Sequence, residues 1–244
     1  MHLYIILKQS NKSTEIPINY NHFIQSAIYA NLEPGLACRL HEQGYQAGNR
    51  KFKLFTFSRL MGRFSINKEK GTISFPDGAV LVVSSPDIVL IESFANRVLQ
   101  KTYLRIEKAY FEISGIETKG HKILTNSIKL KTISPVVVYS TLIKPQGGKY
   151  TCFYQPGEPE FTRLMGDNLR KKYSAFYDKT CSKDEIRVRL ISRPRLHVIN
   201  YKNTVIKGYS CNLEIMGPKD LLQIGFDAGL GSKGSQGFGC VELF

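Results

Sequence analysis

The segment GLGSKGSQGFG occupies residues 229–239, between a predicted helix and the predicted last strand of the chain. Five of its eleven residues are glycine, which has no Cβ atom and adopts φ > 0 at little cost. Such a loop can approach a phosphate closely and direct several N–H groups toward it, and Lys233 adds a positive charge. The segment is not a nucleotide-binding P-loop, because it lacks the G-K-[ST] ending and precedes a strand. On glycine content alone, a tight connection between helix and strand is the favoured interpretation.

The sequence before this segment predicts the element order of a ferredoxin-like unit. Residues 219–228 form a short predicted helix, and residues 158–177 form a longer one with Arg170, Lys171 and Lys172 directed outward. Strands are predicted at residues 122–131, 185–200, 205–216 and 240–244. The second half of the chain therefore has the order β-α-β-β-α-β.

The first half of the chain repeats that order. Apolar residues at helical spacing predict a helix over residues 20–32, ended by Pro34-Gly35. Residues 72–75 and 79–83 flank Pro76-Asp77-Gly78, which predicts a hairpin. The remaining predicted elements are strands at residues 2–8, 53–58 and 109–114 and a helix that follows residues 85–86.

These patterns predict an α+β fold of two tandem ferredoxin-like domains packed side by side. The first domain is expected at residues 1–120 and the second at residues 121–244, with the glycine-rich loop near its end. No low-complexity linker separates the halves, so close packing between them is expected. Sequence similarity between the halves is too weak to show the repeat, which depends on element order alone.

The composition favours a polyanionic partner. Lys and Arg total 34 against 20 Asp and Glu, which gives a formal net charge of +14 and a pI of about 9.5. The excess is spread over both halves, at +6 for residues 1–122 and +8 for residues 123–244. Such a charge attracts nucleic acid at long range and releases counterions from phosphates on contact.

Other classes of protein are disfavoured by the same composition. The five cysteines are odd in number and scattered without a C-x-x-C pair, so a reducing cytoplasm is the expected location. The histidines are isolated and no acidic cluster is evident, so no metal site and no cofactor are predicted. The apolar runs are far shorter than the roughly 20 residues of a membrane-spanning helix, and no membrane association is expected.

The chain resembles the CRISPR-associated endoribonucleases of the RAMP superfamily, which cut repeat transcripts into guide RNAs. The resemblance covers nearly the whole sequence. It is carried by Ala27-Ile28-Tyr29, Leu40-His41-Glu42, the KLFTFS stretch at residues 53–58, Ser134-Pro135-Val136 and the glycine-rich loop. It implies RAMP/RRM-like ferredoxin units, although no RNP-type aromatic motif is present to indicate an RRM itself.

The resemblance also implies an activity and partners. The expected substrate is CRISPR repeat RNA within pre-crRNA, cut without a metal by attack of a ribose 2′-OH. The products would carry a 2′,3′-cyclic phosphate and a 5′-hydroxyl group. Other CRISPR-associated subunits of an interference complex are further expected partners, and a homodimer stays open because exposed faces of ferredoxin-like units often associate.

By local match to the family, the catalytic residues are Tyr29, His41 and Lys53. Histidine suits removal of the 2′-OH proton near neutral pH, and a lysine can stabilise the charge that develops on the phosphoryl oxygens. Which of Tyr29 and His41 acts as acid or base stays open, and Lys51 is an alternative to Lys53. Simple packing is the competing interpretation for Tyr29 and a surface location for His41.

RNA binding requires a larger surface than these residues provide. Alternation along a strand would place Arg187 and Arg189 on one face, with a break at Pro194. A solvated strand face is the competing interpretation for these arginines. The predicted RNA-binding residues are Lys51, Arg187, Arg189, Arg193, Arg195, Gly229, Gly231, Ser232, Lys233, Gly237 and Gly239. A non-catalytic RAMP subunit that holds crRNA in an interference complex is the alternative function.

Overall fold

Two antiparallel sheets organise the chain, which a computed structural model describes at residues 1–9, 14–181 and 184–244. A 3₁₀ turn spans Gly234–Gln236. In chain order the other elements are β1 (His2–Gln9), β2 (Glu15–Pro17), α1 (Asn21–Ala30), α2 (Pro34–Glu42), β3 (Tyr45–Ala47), β4 (Arg50–Phe52), β5 (Thr56–Phe57), β6 (Ser65–Asn67), β7 (Thr72–Ser74), β8 (Ala79–Ser84), α3 (Ile88–Lys101), β9 (Tyr103–Ile106), β10 (Ala109–Lys119), β11 (Ser127–Thr132), β12 (Tyr139–Ile143), β13 (Lys149–Phe153), α4 (Pro159–Tyr177), β14 (Arg187–Leu190), β15 (Arg195–Tyr201), β16 (Thr204–Ser210), β17 (Asn212–Met216), α5 (Lys219–Ala228) and β18 (Val241–Leu243).

The two sheets share one strand order. The first runs β5-β8-β1-β10-β9 and the second β14-β17-β11-β18. Counted within each β-α-β-β-α-β unit, both orders are second, third, first and fourth strand, and the first sheet adds β9 at its edge. The prediction of an α+β fold with two tandem ferredoxin-like units is confirmed.

Each sheet buries one face against its helices. In β1, Leu3, Ile5 and Leu7 are buried and pack in one cluster with Ile24 of α1 and Phe94 of α3. Alternate residues of a strand point to opposite faces, so this spacing places three apolar side chains on the helix side. Burial of each such side chain stabilises the fold by about 1.5–3 kcal/mol. A second cluster joins α4 and α5 to the other sheet.

Polar contacts hold the two units side by side. The amino group of Met1 lies 2.6 Å from a carboxylate oxygen of Asp227, at the end of α5. The Ser84 hydroxyl donates to the carbonyl oxygen of Asp227 at 2.7 Å, and the Tyr4 hydroxyl donates to Glu242 at 3.0 Å. The start of β1 and the end of β8 therefore meet α5 and β18 of the second unit.

The region after the first helix differs from expectation. The predicted helix over residues 20–32 is observed as α1, but Pro34 begins α2 instead of ending the helical region. Proline is favoured at the first helical position, where its missing N–H needs no partner. The Glu33 carboxylate caps α2 by accepting the N–H of Leu36 at 2.9 Å. His41 consequently lies in the last turn of a helix and not on a connection.

Several predicted strands pair in unexpected ways. The turn at residues 76–78 is present, but β7 pairs with β2 and β6 while β8 pairs with β1 and β5, so the predicted hairpin is wrong. Turn chemistry is local, whereas the choice of sheet partner depends on long-range packing. The predicted strands at residues 185–200 and 205–216 are each divided. Their outer parts are β14 and β17 of the second sheet, and their inner parts form the separate β15–β16 hairpin.

Candidate active site and nucleic-acid interface

Tyr29 and His41 contact each other from two successive helices. Their ring centroids are 5.9 Å apart in an edge-to-face arrangement, and the Tyr29 ring makes a similar contact with Phe55 at 5.8 Å. Tyr29 is half-buried in the last turn of α1, whereas the His41 side chain is exposed. The phenol and the imidazole therefore share one surface, with the imidazole open to solvent.

Lys53 completes this cluster through the backbone of α2. Its ammonium group donates hydrogen bonds to the carbonyl oxygens of Leu40 and His41, and Lys51 donates to the next carbonyl, that of Glu42, at 3.2 Å. The last carbonyls of a helix lack intrahelical partners and carry partial negative charge, so two lysines stabilise this end. Lys53 follows β4 directly, so the β3–β4 hairpin holds the turn that carries His41.

Burial shifts two titration equilibria in the cluster. Desolvation raises the pKa of Tyr29 to about 12, so the phenol keeps its proton at neutral pH. Partial burial, aided by the neighbouring charge of Lys51, lowers the pKa of Lys53. The protonated Tyr29 hydroxyl can donate a hydrogen bond, and the raised pKa makes it a weaker acid than an ordinary tyrosine.

The glycine-rich loop is packed between the units at both ends and exposed only in its middle. Its first two and last two glycines are buried, while the five residues from Ser232 to Gln236 are partly exposed. A Cβ at Gly237 would lie 2.4 Å from the ring of Phe57, and one at Gly239 would lie 2.0 Å from the Leu230 carbonyl oxygen. Glycine is therefore required at these two positions for close packing, and φ is +84° and +76° there.

Many loop groups already have partners inside the protein. The N–H of Ser232 donates to Val137 at 2.7 Å, and the N–H of Gly239 donates to Pro135 at 2.9 Å. The carbonyl oxygens of Ser235 and Gln236 accept from Gln25 and Asn21 of α1. Of the predicted RNA-binding residues in the loop, the buried Gly229, Gly231, Gly237 and Gly239 thus shape the loop, and Ser232 and Lys233 lie at its accessible surface.

A basic cleft lies between this loop and the segment that carries Lys53. Its volume is about 330 Å³, and its lining combines residues 50–55 with residues 231–235 and with side chains from α4. None of the described lining residues has a carboxylate. Five of them are basic: Arg50, Lys51, Lys53, Lys172 and Lys233. The Lys233 ammonium lies 5.3 Å from the ring centre of Tyr139, also in the lining. The cleft has the charge and size for a phosphate-bearing ligand.

Lys172 is a basic residue of this cleft that lies on the opposite side of its helix from the one predicted. It was expected to point outward from its helix, but it is buried and donates to the carbonyl oxygens of Ala228 and Gly229 at 3.2 and 2.6 Å. Burial lowers its pKa to about 7. The missed signal is its position at i+3 from Leu169 and i+7 from Met165, on the apolar side of α4. Asn168, one turn earlier, lines the same cleft.

The predicted arginines lie on a different surface. Arg187 and Arg189 are exposed at alternate positions of the edge strand β14, as predicted. Both have acidic neighbours: Arg187 lies 2.9 Å from Glu185, and Arg189 lies 2.5 Å from Glu214. Arg193 and Arg195 are exposed at the break between β14 and β15. The structure does not bring these four side chains into the cleft lining.

Two further observations concern the described part of the chain. Within residues 1–9, 14–181 and 184–244, no three His, Cys, Asp or Glu side chains form a group that could hold a metal ion. None of the helices described in those ranges combines the length and the apolar character that crossing a bilayer requires.

Two family models together match residues 15–243 of the chain. A family model described as CRISPR-associated protein Cas6, N-terminal, matches residues 15–117, and one described as CRISPR associated protein Cas6, C-terminal, matches residues 117–243. A Methanocaldococcus jannaschii protein named CRISPR-associated endoribonuclease Cas6 1 is 33% identical over 96% of this chain and 89% of its own length. A Pyrococcus furiosus protein named CRISPR-associated endoribonuclease Cas6 is 27% identical over 98% of this chain and 88% of its own length.

Solved structures with Cas6 or RAMP titles superpose on the whole chain, so they share its fold. A structure titled "CRISPR associated protein Cas6" superposes with a TM-score of 0.80 at 29% identity, covering 100% of this chain and 99% of the other. The structure of a Cas6-related gene product from Pyrococcus furiosus superposes with a TM-score of 0.87 at 22% identity, covering 100% and 98%. One titled "An RAMP protein binding different RNA substrates" gives 0.84 at 22% identity, covering 100% and 99%.

Proposed function

This chain belongs to the Cas6 family of CRISPR-associated proteins, and on that premise we propose that it is an endoribonuclease that cleaves CRISPR repeat RNA within pre-crRNA. The observation that carries the proposal is the cluster of Tyr29, His41 and Lys53 beside a cleft lined by cations. Relatives named as Cas6 endoribonucleases over most of their length support it.

In the proposed reaction, the ribose 2′-oxygen attacks the adjacent phosphorus. His41 removes the 2′-OH proton, since imidazole exchanges protons readily near neutral pH and this ring is open to solvent. The new bond from the 2′-oxygen to phosphorus displaces the 5′-oxygen of the next nucleotide. The products are a 2′,3′-cyclic phosphate and, once that oxygen is protonated, a 5′-hydroxyl group. The step needs a base, a proton donor and a positive charge, so no metal is required.

Tyr29 and Lys53 supply the other two groups in this scheme. The Tyr29 phenol is protonated at neutral pH, as any tyrosine is, so its hydroxyl can donate a hydrogen bond to the departing 5′-oxygen; burial raises its pKa to about 12. An ammonium has three N–H donors, and Lys53 uses two on α2 carbonyls. Its third donor is available to a phosphoryl oxygen, where charge develops. Lys51 is the second candidate for that role.

RNA would continue from the cluster into the basic cleft. Phosphates would be held there by Lys51, Lys233 and the Ser232 hydroxyl. Arg187, Arg189, Arg193 and Arg195 would contact phosphates on the second unit. A boundary between residues 120 and 121 is part of the proposal, with the catalytic groups in the first domain and the loop in the second.

The decisive test is cleavage of repeat RNA by the purified protein in excess EDTA. We expect one cut per repeat, a cyclic phosphate on the upstream fragment, and no cut in RNA with a single 2′-deoxy substitution at the cleaved position. Cleavage of the 2′-deoxy RNA, or activity only when a divalent metal is restored, would refute the mechanism.

A crRNA-holding subunit without catalysis is the second candidate. It is favoured by a Pyrococcus furiosus relative named only as an endoribonuclease-like protein, 26% identical over 100% of this chain and 98% of its own length. Tight binding of repeat RNA with no cleavage under any of these conditions would establish this alternative.

A further inference from the structure

A second groove lies on the first unit, away from the glycine-rich loop. It has a volume of about 590 Å³ and separates α1 from the β9–β10 hairpin. Its α1 side consists of Phe23, Ser26, Ala27 and Ala30. Its hairpin side includes Tyr103, which begins β9, and Tyr110, which lies in β10. The groove has no part in the function proposed above.

The two tyrosines form an exposed aromatic pair. Tyr103 is 41% exposed and Tyr110 is 47% exposed, and their ring centroids are 5.3 Å apart. The guanidinium of Arg105 lies 5.7 Å from the centre of the Tyr110 ring. Large aromatic rings left in solvent at the edge of a groove offer a surface on which a planar group can stack.

The groove is also positively charged. Lys101, Arg105 and Lys108 line it, against one acidic residue, Glu107. The Glu107 carboxylate is 3.9 Å from Lys108, so its charge is offset locally. Lys101 donates to the side-chain oxygen of Asn31 at 2.9 Å, which holds its ammonium at the α1 side of the groove. Aromatic rings combined with an excess of cations suit a single-stranded nucleic acid.

Helix geometry places the groove beside the proposed cleavage site. Successive residues of an α-helix are about 100° apart around its axis, so Ser26 and Ala30 lie roughly 60° and 100° from Tyr29, on the same side. The groove therefore adjoins the Tyr29 face of α1. An RNA strand bound at Tyr29 and His41 has to cross only part of α1, which is about 10 Å in diameter, to enter the groove.

We propose that this groove binds an unpaired nucleotide of the repeat RNA next to the cleaved bond. The base stacks on the ring of Tyr110, against which Tyr103 packs at an interplanar angle of 62°, and the flanking phosphates contact Lys101, Arg105 and Lys108. This inference rests on the proposed function, since it takes the same RNA as ligand. It adds a base-stacking site on the first unit to the phosphate contacts of the cleft.

The test uses repeat RNA that carries a 2′-deoxy substitution at the cut site and one 2-aminopurine, moved position by position around that site. Stacking on an aromatic ring quenches this fluorophore. We expect quenching on binding at one or two adjacent positions. Tyr110→Ala should abolish that quenching and weaken binding about tenfold, whereas Tyr110→Phe should retain both. Tyr150→Ala removes a tyrosine on β13 that is 54% exposed, against 47% for Tyr110, and serves as the matched control.

The outcomes separate this proposal from the proposed function. If wild-type protein fails to cut unmodified RNA but the quenching depends on Tyr110, the proposed catalytic function is refuted and the stacking site is supported. If it cuts RNA normally and Tyr110→Ala and Tyr103→Ala bind and quench as wild type does, the stacking site is refuted. A dimer in light scattering that both substitutions dissociate, with RNA binding unchanged, would also refute it and assign the groove to a second copy.

Discussion

The two ferredoxin-like units share a strand order but differ in the connections that leave their helices. After α3, the first unit has a short hairpin whose turn spans residues 107–108, whereas after α5 the second unit has the glycine-rich loop at residues 229–239. After the first helix, the first unit inserts α2 and the β3–β4 hairpin, while residues 178–181 and 184–186 of the second unit contain no helix or strand.

This difference shows where specialisation is located in a repeated fold. The sheets and long helices are determined by burial. Their order along the chain is nearly the same in the two units. The connections differ between the units, and each adds buried residues to a core: Leu36 and Leu40 of α2 belong to the first cluster and Leu230 of the loop to the second. In this chain the insertion brings His41 and Lys53 into the first unit, and the loop closes the cleft from the second. The proposed catalytic groups thus belong to one unit, and part of their surroundings belongs to the other.

The largest effect is expected from removal of the imidazole of the inserted helix α2. His41→Ala should lower the single-turnover cleavage rate about 10²- to 10⁴-fold, the usual contribution of a general base. The affinity for 2′-deoxy repeat RNA should stay within about twofold, because the His41 side chain is one exposed group on a large basic surface.

The matched control for His41 is another exposed histidine. His121 follows β10 and its ring contacts Phe226 at 6.1 Å, away from α2. His121→Ala should cleave at the wild-type rate. Equal rates for both variants would remove His41 from the mechanism and leave the inserted helix as a structural element only.

A second prediction concerns the loop that distinguishes the second unit. Gly239→Ala should lower the free energy of unfolding by about 3 kcal/mol, because the new Cβ meets a backbone carbonyl oxygen at 2.0 Å and φ is +76°. Urea denaturation measures the change. Gly120→Ala is the control, since nothing lies within 4 Å of its Cβ, and it should change stability by less than about 0.5 kcal/mol. Equal stability of the two variants would show that the loop relaxes freely.

A third prediction separates chemistry from packing at Tyr29. Tyr29→Phe keeps the ring contacts with His41 and Phe55 and removes only the hydroxyl group. The cleavage rate should fall about tenfold, as expected for loss of one hydrogen bond to a charged oxygen, with no change in melting temperature. An unchanged cleavage rate together with a destabilised Tyr29→Ala protein would assign Tyr29 to packing alone.

The sequence predicted those parts of the fold that depend on periodic burial. The helices α1, α4 and α5 and the tandem β-α-β-β-α-β order follow from apolar spacing and were found as expected. The sheet partner of β7 could not be predicted, because pairing is decided by contacts distant in sequence. α2 was missed because Pro34 was interpreted as a helix end, although proline is equally typical of a helix start.

For the candidate site, the sequence indicated which residues could take part in catalysis, but it did not show how deeply each residue of the site is buried. Tyr29, His41 and Lys53 were named from the family resemblance, and the structure brings them together around the end of α2. The glycines of the loop were expected to face a ligand, yet their burial depends on the other unit, which no local pattern reveals. Lys172 was misplaced because a run of three basic residues suggests a solvated face, whereas helical register puts one of them inside.

That buried lysine gives the smallest expected effect and the most direct probe of the contact between loop and helix. Because burial lowers the Lys172 pKa to about 7, the unfolded chain holds one more proton than the native protein between pH 7 and about 10.4. The free energy of unfolding therefore rises with pH in this window. Relative to Lys172→Met, wild-type protein should gain about 1 kcal/mol between pH 7.5 and 8.5. Lys171→Met removes the exposed neighbour and should keep the wild-type slope. If Lys172→Met keeps it too, the ammonium stays charged, and its hydrogen bonds to Ala228 and Gly229 outweigh the cost of burial.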